Sequence, residues 1–197
     1  MTISARTAPA AHRRARPAAV AAVACALAAV SACSSGGVTS PAPKPAASTQ
    51  PPTKPADPAE TAKQQAISTY RSYWKAMERV YATAKLDGTD ITKYAASAAL
   101  SRPRNDIQNM QRDGSSFSGN VTVNNPTVTR ADLDRKTPNV AISSCLDVSG
   151  WKVLDKDKKP VALPSKRLTK YVSLAVVERW PEGWRVIRDE PQAGQPC

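Results

Sequence analysis

The spacing of apolar residues in this chain changes near Phe117. Before that residue they recur every three or four positions, which is the period of one helix face, and after it they alternate, which is the period of a half-buried strand. Helices that precede an antiparallel meander are typical of α+β domains whose helices cover one face of a sheet. We therefore predict an α+β fold with N-terminal helices packed on a curved antiparallel sheet.

The first predicted helix has a well-marked beginning. Asp57 is suited to the N-cap, Pro58 to the first helical position and Glu60 to a capping box. The helix is expected to run to about Lys85 and to end before Gly88. Its apolar stripe is rich in aromatic residues and comprises Ile67, Tyr70, Trp74, Met77 and Tyr81.

Two shorter helices are predicted next. Thr89 or Asp90 can cap the first of them, which carries Ile91 on its apolar side. The second is expected to open at Pro103 and to end before Gly114. These three helices account for the chain up to the change of period.

The alternating part of the sequence predicts several strands. The clearest pattern is a run of five inward positions, namely Val140, Ile142, Ser144, Leu146 and Val148. A strand around Trp151 to Leu154 is followed by the polar turn Asp155–Pro160. The next, long β-segment has its apolar positions at Leu168, Val172, Leu174 and Val176. The turn Trp180–Trp184 leads into a last strand, on which Trp184, Val186 and Arg188 are expected to share one face.

The N-terminal region has the pattern of an export signal. Three arginines between positions 13 and 16 precede the uncharged run Ala18–Val30, which is too short to span a bilayer. The segment Val30–Cys33 resembles the lipobox of bacterial lipoproteins, in which the cysteine is lipidated and becomes the first residue. We therefore predict a lipoprotein signal peptide at 1–32 and a lipid on Cys33 that anchors the protein to the extracytoplasmic face of the cell membrane. An ordinary signal peptide with an incidental cysteine, or an uncleaved anchor, remains the alternative.

Residues 33–57 are rich in proline, alanine and serine and contain almost no bulky apolar side chains. Such a segment cannot bury enough surface to offset the entropy of ordering, so we predict a disordered tether. Its reach is about 30 Å as a coil and about 75 Å when extended. Residues 58–197 then form one α+β domain of ordinary size.

The predicted mature chain is basic, with 24 basic and 16 acidic residues and a net charge of +8. Its densest basic stretch consists of Lys152, Lys156, Lys158, Lys159, Lys166, Arg167 and Lys170. A solvated surface is the simpler explanation, and an anionic lipid or wall polymer is the alternative. No nucleic-acid-binding module is recognisable, so we expect no nucleic-acid partner.

Cys145 and Cys197 are the two cysteines left for the folded domain once Cys25 is removed with the signal peptide and Cys33 is lipidated. An oxidising compartment permits a bond between them. We predict one disulfide, with two free thiols as the alternative.

The segments Tyr70–Trp74, Cys145–Asp147 and Glu178–Val186 are similar to those of secreted bacterial lipoproteins of the nuclear transport factor 2-like superfamily. The resemblance covers about residues 58–197 and implies a cone-shaped fold in which helices lie inside a strongly bent sheet. It also implies that a cavity carboxylate or histidine could act as a base, as in isomerase-like and cyclase-like members. A cystatin-like or lipocalin-like sheet is the competing architecture.

The mature chain contains no histidine, which removes the commonest general base and the usual nucleophile triads and metal sites. Asp132 and Asp134 fall in a predicted loop, whereas Asp155 and Asp157 alternate with lysines in a turn. Neither pair fits a calcium loop, and solvated surface charge explains both better. We therefore expect no metal, no cofactor and no catalytic residue.

Tyr70, Tyr73 and Trp74 are the candidates for a pocket, because the stripe of the first helix must face the sheet. Packing in the core is the simpler explanation for these three residues. We accordingly expect an anchored domain that binds a small ligand or a cell-surface partner without catalysis. The alternatives are an isomerase-like or cyclase-like enzyme with a cavity carboxylate, and an adaptor whose basic face holds an anionic wall polymer.

Overall fold

The structure is a computed structural model that describes residues 57–197. The predicted signal peptide, Cys33 and the tether before Asp57 lie outside the described residues. The helices are α1 (Pro58–Thr83), α2 (Ile91–Tyr94) and α3 (Ser97–Asp113). The strands are β1 (Ser116–Ser118), β2 (Thr122–Asp132), β3 (Asn139–Asp147), β4 (Lys152–Leu154), β5 (Lys170–Trp180) and β6 (Gly183–Pro191). Among these residues no helix combines the length and the apolar character needed to cross a membrane.

Helix α1 begins where the sequence predicts and ends slightly earlier. Asp57 caps it by accepting a backbone N–H two residues on at 2.9 Å. The predicted capping box does not form, because Glu60 instead accepts the side-chain amide of Gln64 at 2.8 Å. The helix ends at Thr83, since Ala84 adopts the left-handed conformation with φ 50°. The predicted stripe faces the sheet, with four of its members buried and Tyr81 partly buried.

The prediction that Pro103 opens the third helix is wrong. Helix α3 begins at Ser97, so Pro103 lies inside it and removes one backbone donor from the helical ladder. Its ring is buried, and α3 packs against α1 and β6. Tertiary packing therefore outweighs the local preference of proline for a helix start. The predicted end is correct, because Gly114 caps the helix with φ 68°.

Four strands form one antiparallel sheet in the order β2-β3-β5-β6, and β1 pairs with β4 in a separate ribbon. Register shifts interrupt the β2–β3 ladder twice and the β5–β6 ladder once. Such irregularities bend strands and strengthen their twist. Helix α1 packs against this curved sheet, and the predicted α+β fold class is confirmed.

The predicted inward face is correct for β3 and wrong for β5. All five predicted positions are buried, four of them within β3 and Val148 directly after its last residue. On β5, however, Leu174 is 42% exposed, and the buried residues are Ser173, Ala175 and Val177. These three lie directly opposite Ser144, Ile142 and Val140 of β3 and therefore share their face. The sequence of β5 is apolar on both faces, so alternation alone could not select the correct one.

The last strand contains a one-residue bulge that changes its inward face. Val177 pairs with Val186 and Val176 pairs with Arg188, so Ile187 is an extra residue in β6. The prediction that Arg188 shares a face with Trp184 and Val186 is therefore wrong. Arg188 is exposed, and Asp189 takes the inward position.

The predicted disulfide is present. Cys145 of β3 is bonded to Cys197, with 5.7 Å between the Cα atoms. The segment after β6 also joins β5 through its backbone, because Val172 donates to Gln195 O at 3.0 Å and accepts from Gln192 N–H at 2.8 Å. The C-terminal segment is thus held against the sheet by covalent and hydrogen bonds.

Candidate functional site

A cavity of about 220 Å³ lies between α1, α3 and one end of the sheet. Helix α1 contributes Tyr73, Trp74, Met77 and Tyr81 to its wall. Helix α3 contributes Ala99, Arg102, Pro103 and Asp106. The remaining wall residues are Trp151, Tyr171, Asp189 and Pro191.

Aromatic rings form much of this wall, and they contact one another. The ring centroids of Trp74 and Trp151 are 6.2 Å apart, and those of Trp151 and Tyr81 are 5.2 Å apart. Tyr73 meets Trp74 edge-to-face at 5.5 Å. Pairs at these separations stabilise each other beyond the area they bury, so the wall is a preformed apolar surface.

Asp189 places a buried carboxyl group in this apolar wall. Its Oδ1 atom accepts hydrogen bonds from Ser173 Oγ at 2.7 Å and from the Tyr70 hydroxyl at 3.1 Å. Because Tyr70 gives its single proton to Asp189, the 3.2 Å contact between Tyr70 and Ser144 must have Ser144 Oγ as donor. Both side-chain hydrogen bonds go to Oδ1, and within the described residues no side-chain hydrogen bond goes to Oδ2.

Burial changes the protonation of this group. Desolvation raises the pKa of Asp189 to about 6, against the opposing effects of the hydrogen bonds from Ser173 and Tyr70 and of the charge of Arg102. Burial likewise raises the pKa values of Tyr70 and Tyr73 above their ordinary value, and the charge of Asp189 adds to both shifts. At neutral pH the cavity therefore combines an ionised carboxylate with neutral phenols.

Trp74 provides a second polar feature. Trp74 is only 7% exposed. Its Nε1 is the one buried side-chain nitrogen or oxygen atom that makes no hydrogen bond of good geometry among the described residues. A buried donor without a partner costs about 1–3 kcal/mol, so such groups call for an explanation. The Trp74 indole lies close enough to the Tyr70 hydroxyl to lower the pKa of that phenol, so this donor faces the polar groups behind the cavity wall.

Charged residues lie on the α3 side of the cavity. Arg102 donates from Nη1 to the backbone carbonyl of Asp189 at 3.1 Å, which ties α3 to β6. The Tyr81 hydroxyl donates to Asp106. Both Arg102 and Asp106 are exposed at the residue level, so this side of the cavity communicates with solvent.

The three residues singled out in the sequence occupy different places. Tyr73 and Trp74 lie in the cavity wall, whereas Tyr70 is fully buried behind it and holds Asp189. Asp189 itself was missed, because the bulge at Ile187 reverses the alternation that leads to it. The one signal in the sequence was Ser144, a polar residue among the predicted inward positions of β3.

The acid pairs considered in the sequence lie apart from the cavity. Asp132 pairs with Arg130 at 3.2 Å, and Asp155 accepts backbone N–H groups of its own turn at 2.9 Å. Within residues 57–197 no group of three or more acidic, cysteine or histidine side chains is arranged to hold a metal ion.

A larger groove of about 480 Å³ runs along another side of α1 and is lined in part by Arg71, Lys75 and Arg79. Two of these cations already have partners. Lys75 lies 3.2 Å from Glu78, and Arg79 lies 3.8 Å from Asp90. This open groove lacks the buried titratable group of the aromatic cavity, which is therefore the better candidate site.

Comparisons with known proteins identify no family. No family model matches the chain, and no curated protein matches it. Among solved structures, it is similar to the intermembrane space region of the chloroplast protein ARC6, with 11% identity and a TM-score of 0.46 over 71% of this chain and 100% of that one. It is also similar to a putative aromatic ring hydroxylase from Novosphingobium aromaticivorans, with 12% identity and a TM-score of 0.47 over 70% of this chain and 92% of that one.

Proposed function

We propose that this protein is a lipid-anchored, extracytoplasmic binding domain of the nuclear transport factor 2-like type. The export-signal pattern and the segment Val30–Cys33 support the anchor. The Cys145–Cys197 disulfide supports an oxidising compartment, since such bonds are rare in the cytosol. Helices covering one face of a bent antiparallel sheet support the fold type.

Replacing Cys33 with Ala is expected to release the protein from the membrane, because the lipid has no other attachment point in the segment Val30–Cys33. Membrane fractionation measures the release, and intact-mass analysis of the extracted wild-type chain should show a start at Cys33 with added diacylglycerol. Cys25→Ala is the matched control and should leave the protein in the membrane fraction. An unmodified N-terminus in the extracted protein would contradict the anchor.

The ligand is proposed to be a small molecule held in the aromatic cavity. The observation that carries this proposal is a buried carboxylate, that of Asp189, in an apolar and aromatic cavity wall. A buried carboxylate is unfavourable in an empty core, and it gains a partner from a ligand that carries a hydrogen-bond donor.

The size and polarity of the cavity define the ligand class. A cavity of about 150 Å³ admits benzene, so 220 Å³ has room for a single ring with a short substituent. The ionised Asp189 favours a hydroxyl or ammonium group and disfavours a carboxylate. The surrounding rings further favour an ammonium through cation–π attraction.

Asp189 also fits a second candidate function. A carboxylate with a raised pKa in an apolar cavity has the properties of a general base. It would take a proton from the α carbon of a β,γ-unsaturated ketone and return it at the γ carbon, which moves the double bond into conjugation with the carbonyl without any oxidant. Binding is better supported, because Tyr70 and Ser173 already donate to Asp189 and are not free to stabilise an enolate oxygen.

The binding proposal is tested with benzylamine, benzyl alcohol and benzoate as probes. Binding is measured as quenching of tryptophan fluorescence, to which Trp74 and Trp151 in the cavity wall contribute. We expect benzylamine to bind most tightly and benzoate least. Asp189→Asn should weaken benzylamine by at least about tenfold, as expected for loss of a charged hydrogen bond. The control Asp157→Asn changes an exposed turn residue and should have no effect.

Two outcomes would contradict this assignment. Equal affinity for benzylamine and benzoate would show that the Asp189 carboxylate does not contact the bound probe. The second outcome is that the wild-type protein catalyses exchange of deuterium into cyclopentenone and the variant Asp189→Asn does not. That result would instead establish an enzyme with Asp189 as its base.

A further inference from the structure

Exposed apolar residues concentrate in the segment between β4 and β5. Within residues 57–197 the large hydrophobic residues that are exposed are Val161, Leu163, Leu168 and Leu174, with exposed fractions of 44%, 37%, 43% and 42%. The first three fall within eight residues of one loop, whereas Leu174 stands alone on β5. Clustered apolar exposure of this kind marks an interaction surface.

The same segment is strongly basic. Residues 152–170, named here the β4–β5 loop region, contain seven basic and two acidic residues. Of its cations, Lys156 lies 3.7 Å from Asp157 and Lys170 lies 3.1 Å from Asp147. Lys152, Lys159 and Lys166 are exposed and have no ion-pair partner within the described part of the chain. Exposed apolar residues and basic residues without ion-pair partners therefore occur in the same segment.

The β4–β5 loop region is held to the folded domain rather than hanging free. Val161 N–H donates to Val153 O at 2.9 Å, and Lys158 Nζ donates to Ser116 Oγ at 3.0 Å. Arg167 donates from Nη2 to the backbone carbonyl of Trp151 at 3.4 Å. Its apolar and basic side chains thus have a defined position on the surface.

We propose that the β4–β5 loop region docks on an anionic lipid bilayer. Val161, Leu163 and Leu168 would enter the boundary between headgroups and acyl chains, while the neighbouring lysines contact anionic headgroups. A soluble anionic polymer would use the charges but has no apolar interior to receive the leucines. The combination therefore favours a membrane over the wall polymer.

The position of the region in the fold is compatible with the proposed lipid anchor. Its first part, β4, lies near the C-terminal end of α1, because Val153 pairs with Phe117 of β1 and Phe117 contacts Tyr81 at 5.3 Å. Asp57 lies at the other end of this 26-residue helix, about 39 Å away. The predicted tether has 23 residues between Cys33 and Asp57, and its predicted reach of about 30–75 Å would let anchor and loop meet the same bilayer.

Docking would also orient the candidate site. Trp151 and Tyr171 flank the β4–β5 loop region in the sequence and line the aromatic cavity. A docked domain therefore holds its cavity next to the lipid surface.

The experiment uses the chain from residue 33 onwards with Cys33→Ala, so that no lipid contributes, and vesicles of mixed phosphatidylcholine and phosphatidylglycerol. Co-sedimentation should show binding that weakens by at least about tenfold at high salt and is largely absent with pure phosphatidylcholine. The double variant Leu163→Gln and Leu168→Gln should lose about tenfold in affinity. The matched control Leu174→Gln, at the same exposure, should bind normally.

Charge is tested separately. Lys159→Gln with Lys166→Gln should weaken binding, whereas Lys93→Gln with Lys136→Gln, exposed on other parts of the domain, should weaken it less. Equal losses for the two lysine pairs, or for Leu174→Gln and the double leucine variant, would overturn the assignment to this region. Binding to purified anionic wall polymer but not to vesicles would replace the membrane as partner. Because the unlipidated chain is used, failure here leaves the lipid anchor and the cavity proposal untouched.

Discussion

Replacing Trp74 with Ala is expected to lower the free energy of unfolding by about 3–5 kcal/mol, as for other large aromatic residues removed from a core. Trp74 is only 7% exposed, and its ring contacts those of Tyr73 and Trp151. The truncation would enlarge the aromatic cavity and remove both ring contacts. Urea denaturation followed by circular dichroism measures the change.

Two further variants make this prediction specific. Trp74→Phe keeps most of the apolar area and removes an N–H that has no protein partner, so it should cost clearly less than Trp74→Ala. Trp180→Ala removes a half-buried ring that stacks with Arg185 at 5.1 Å, and should cost no more than about 1 kcal/mol. If Trp180→Ala were as costly as Trp74→Ala, the central position of Trp74 in the core would be wrong.

Replacing Asp189 with Asn is expected to make the protein more stable at neutral pH. The pKa of Asp189 is raised from 3.8 to about 6 in the folded protein, chiefly by burial. Between these two pH values the folded state keeps a proton that the unfolded chain has released, so the free energy of unfolding falls as pH rises. Raising this pKa from 3.8 to about 6 corresponds to about 3 kcal/mol of stability, which is present near pH 4 and lost above pH 6.

The amide of Asn keeps an oxygen that can accept from Tyr70 and Ser173, and it carries no charge to desolvate. The variant should therefore match the wild type near pH 4 and exceed it by up to about 3 kcal/mol at pH 7. Urea denaturation at a series of pH values gives the two profiles.

Asp147 provides an internal comparison for this pH dependence. Hydrogen bonds from Ser149 and Lys170 lower the pKa of Asp147 to about 2. The stability that Asp147 contributes is therefore lost only below about pH 4, which is below the pH range in which Asp189 changes the free energy of unfolding. The control Asp157→Asn should leave the profile between pH 4 and 6 unchanged. Parallel profiles for the wild type and Asp189→Asn would show that Asp189 is not desolvated.

A carboxylate that destabilises the fold at neutral pH is expected where function requires it. Leucine or asparagine at this position would avoid the cost of burying the charge. The ligand titrations and the pH profiles therefore test the same residue independently. Asp189 should both bind benzylamine and lower the free energy of unfolding above pH 6.

The sequence by itself determined the elements whose signals are local and repeated. Five apolar residues recur along one face of α1, and five apolar or small residues alternate from Val140 to Val148. The structure buries them as predicted, except that Tyr81 is partly exposed. Two remaining cysteines were enough to predict the Cys145–Cys197 bond. The helices-then-strands order was enough for the fold class.

Only the tertiary structure decided where the polar site lies. Strand β5 is apolar on both faces, and pairing with β3 selects Ser173 rather than Leu174 as the inward residue. The bulge at Ile187 then turns Asp189, instead of Arg188, toward Ser173 and Tyr70. The physical reason is that a strand has a period of two, so one extra residue reverses every side chain beyond it, and the register is set by the neighbouring strand rather than by the local sequence.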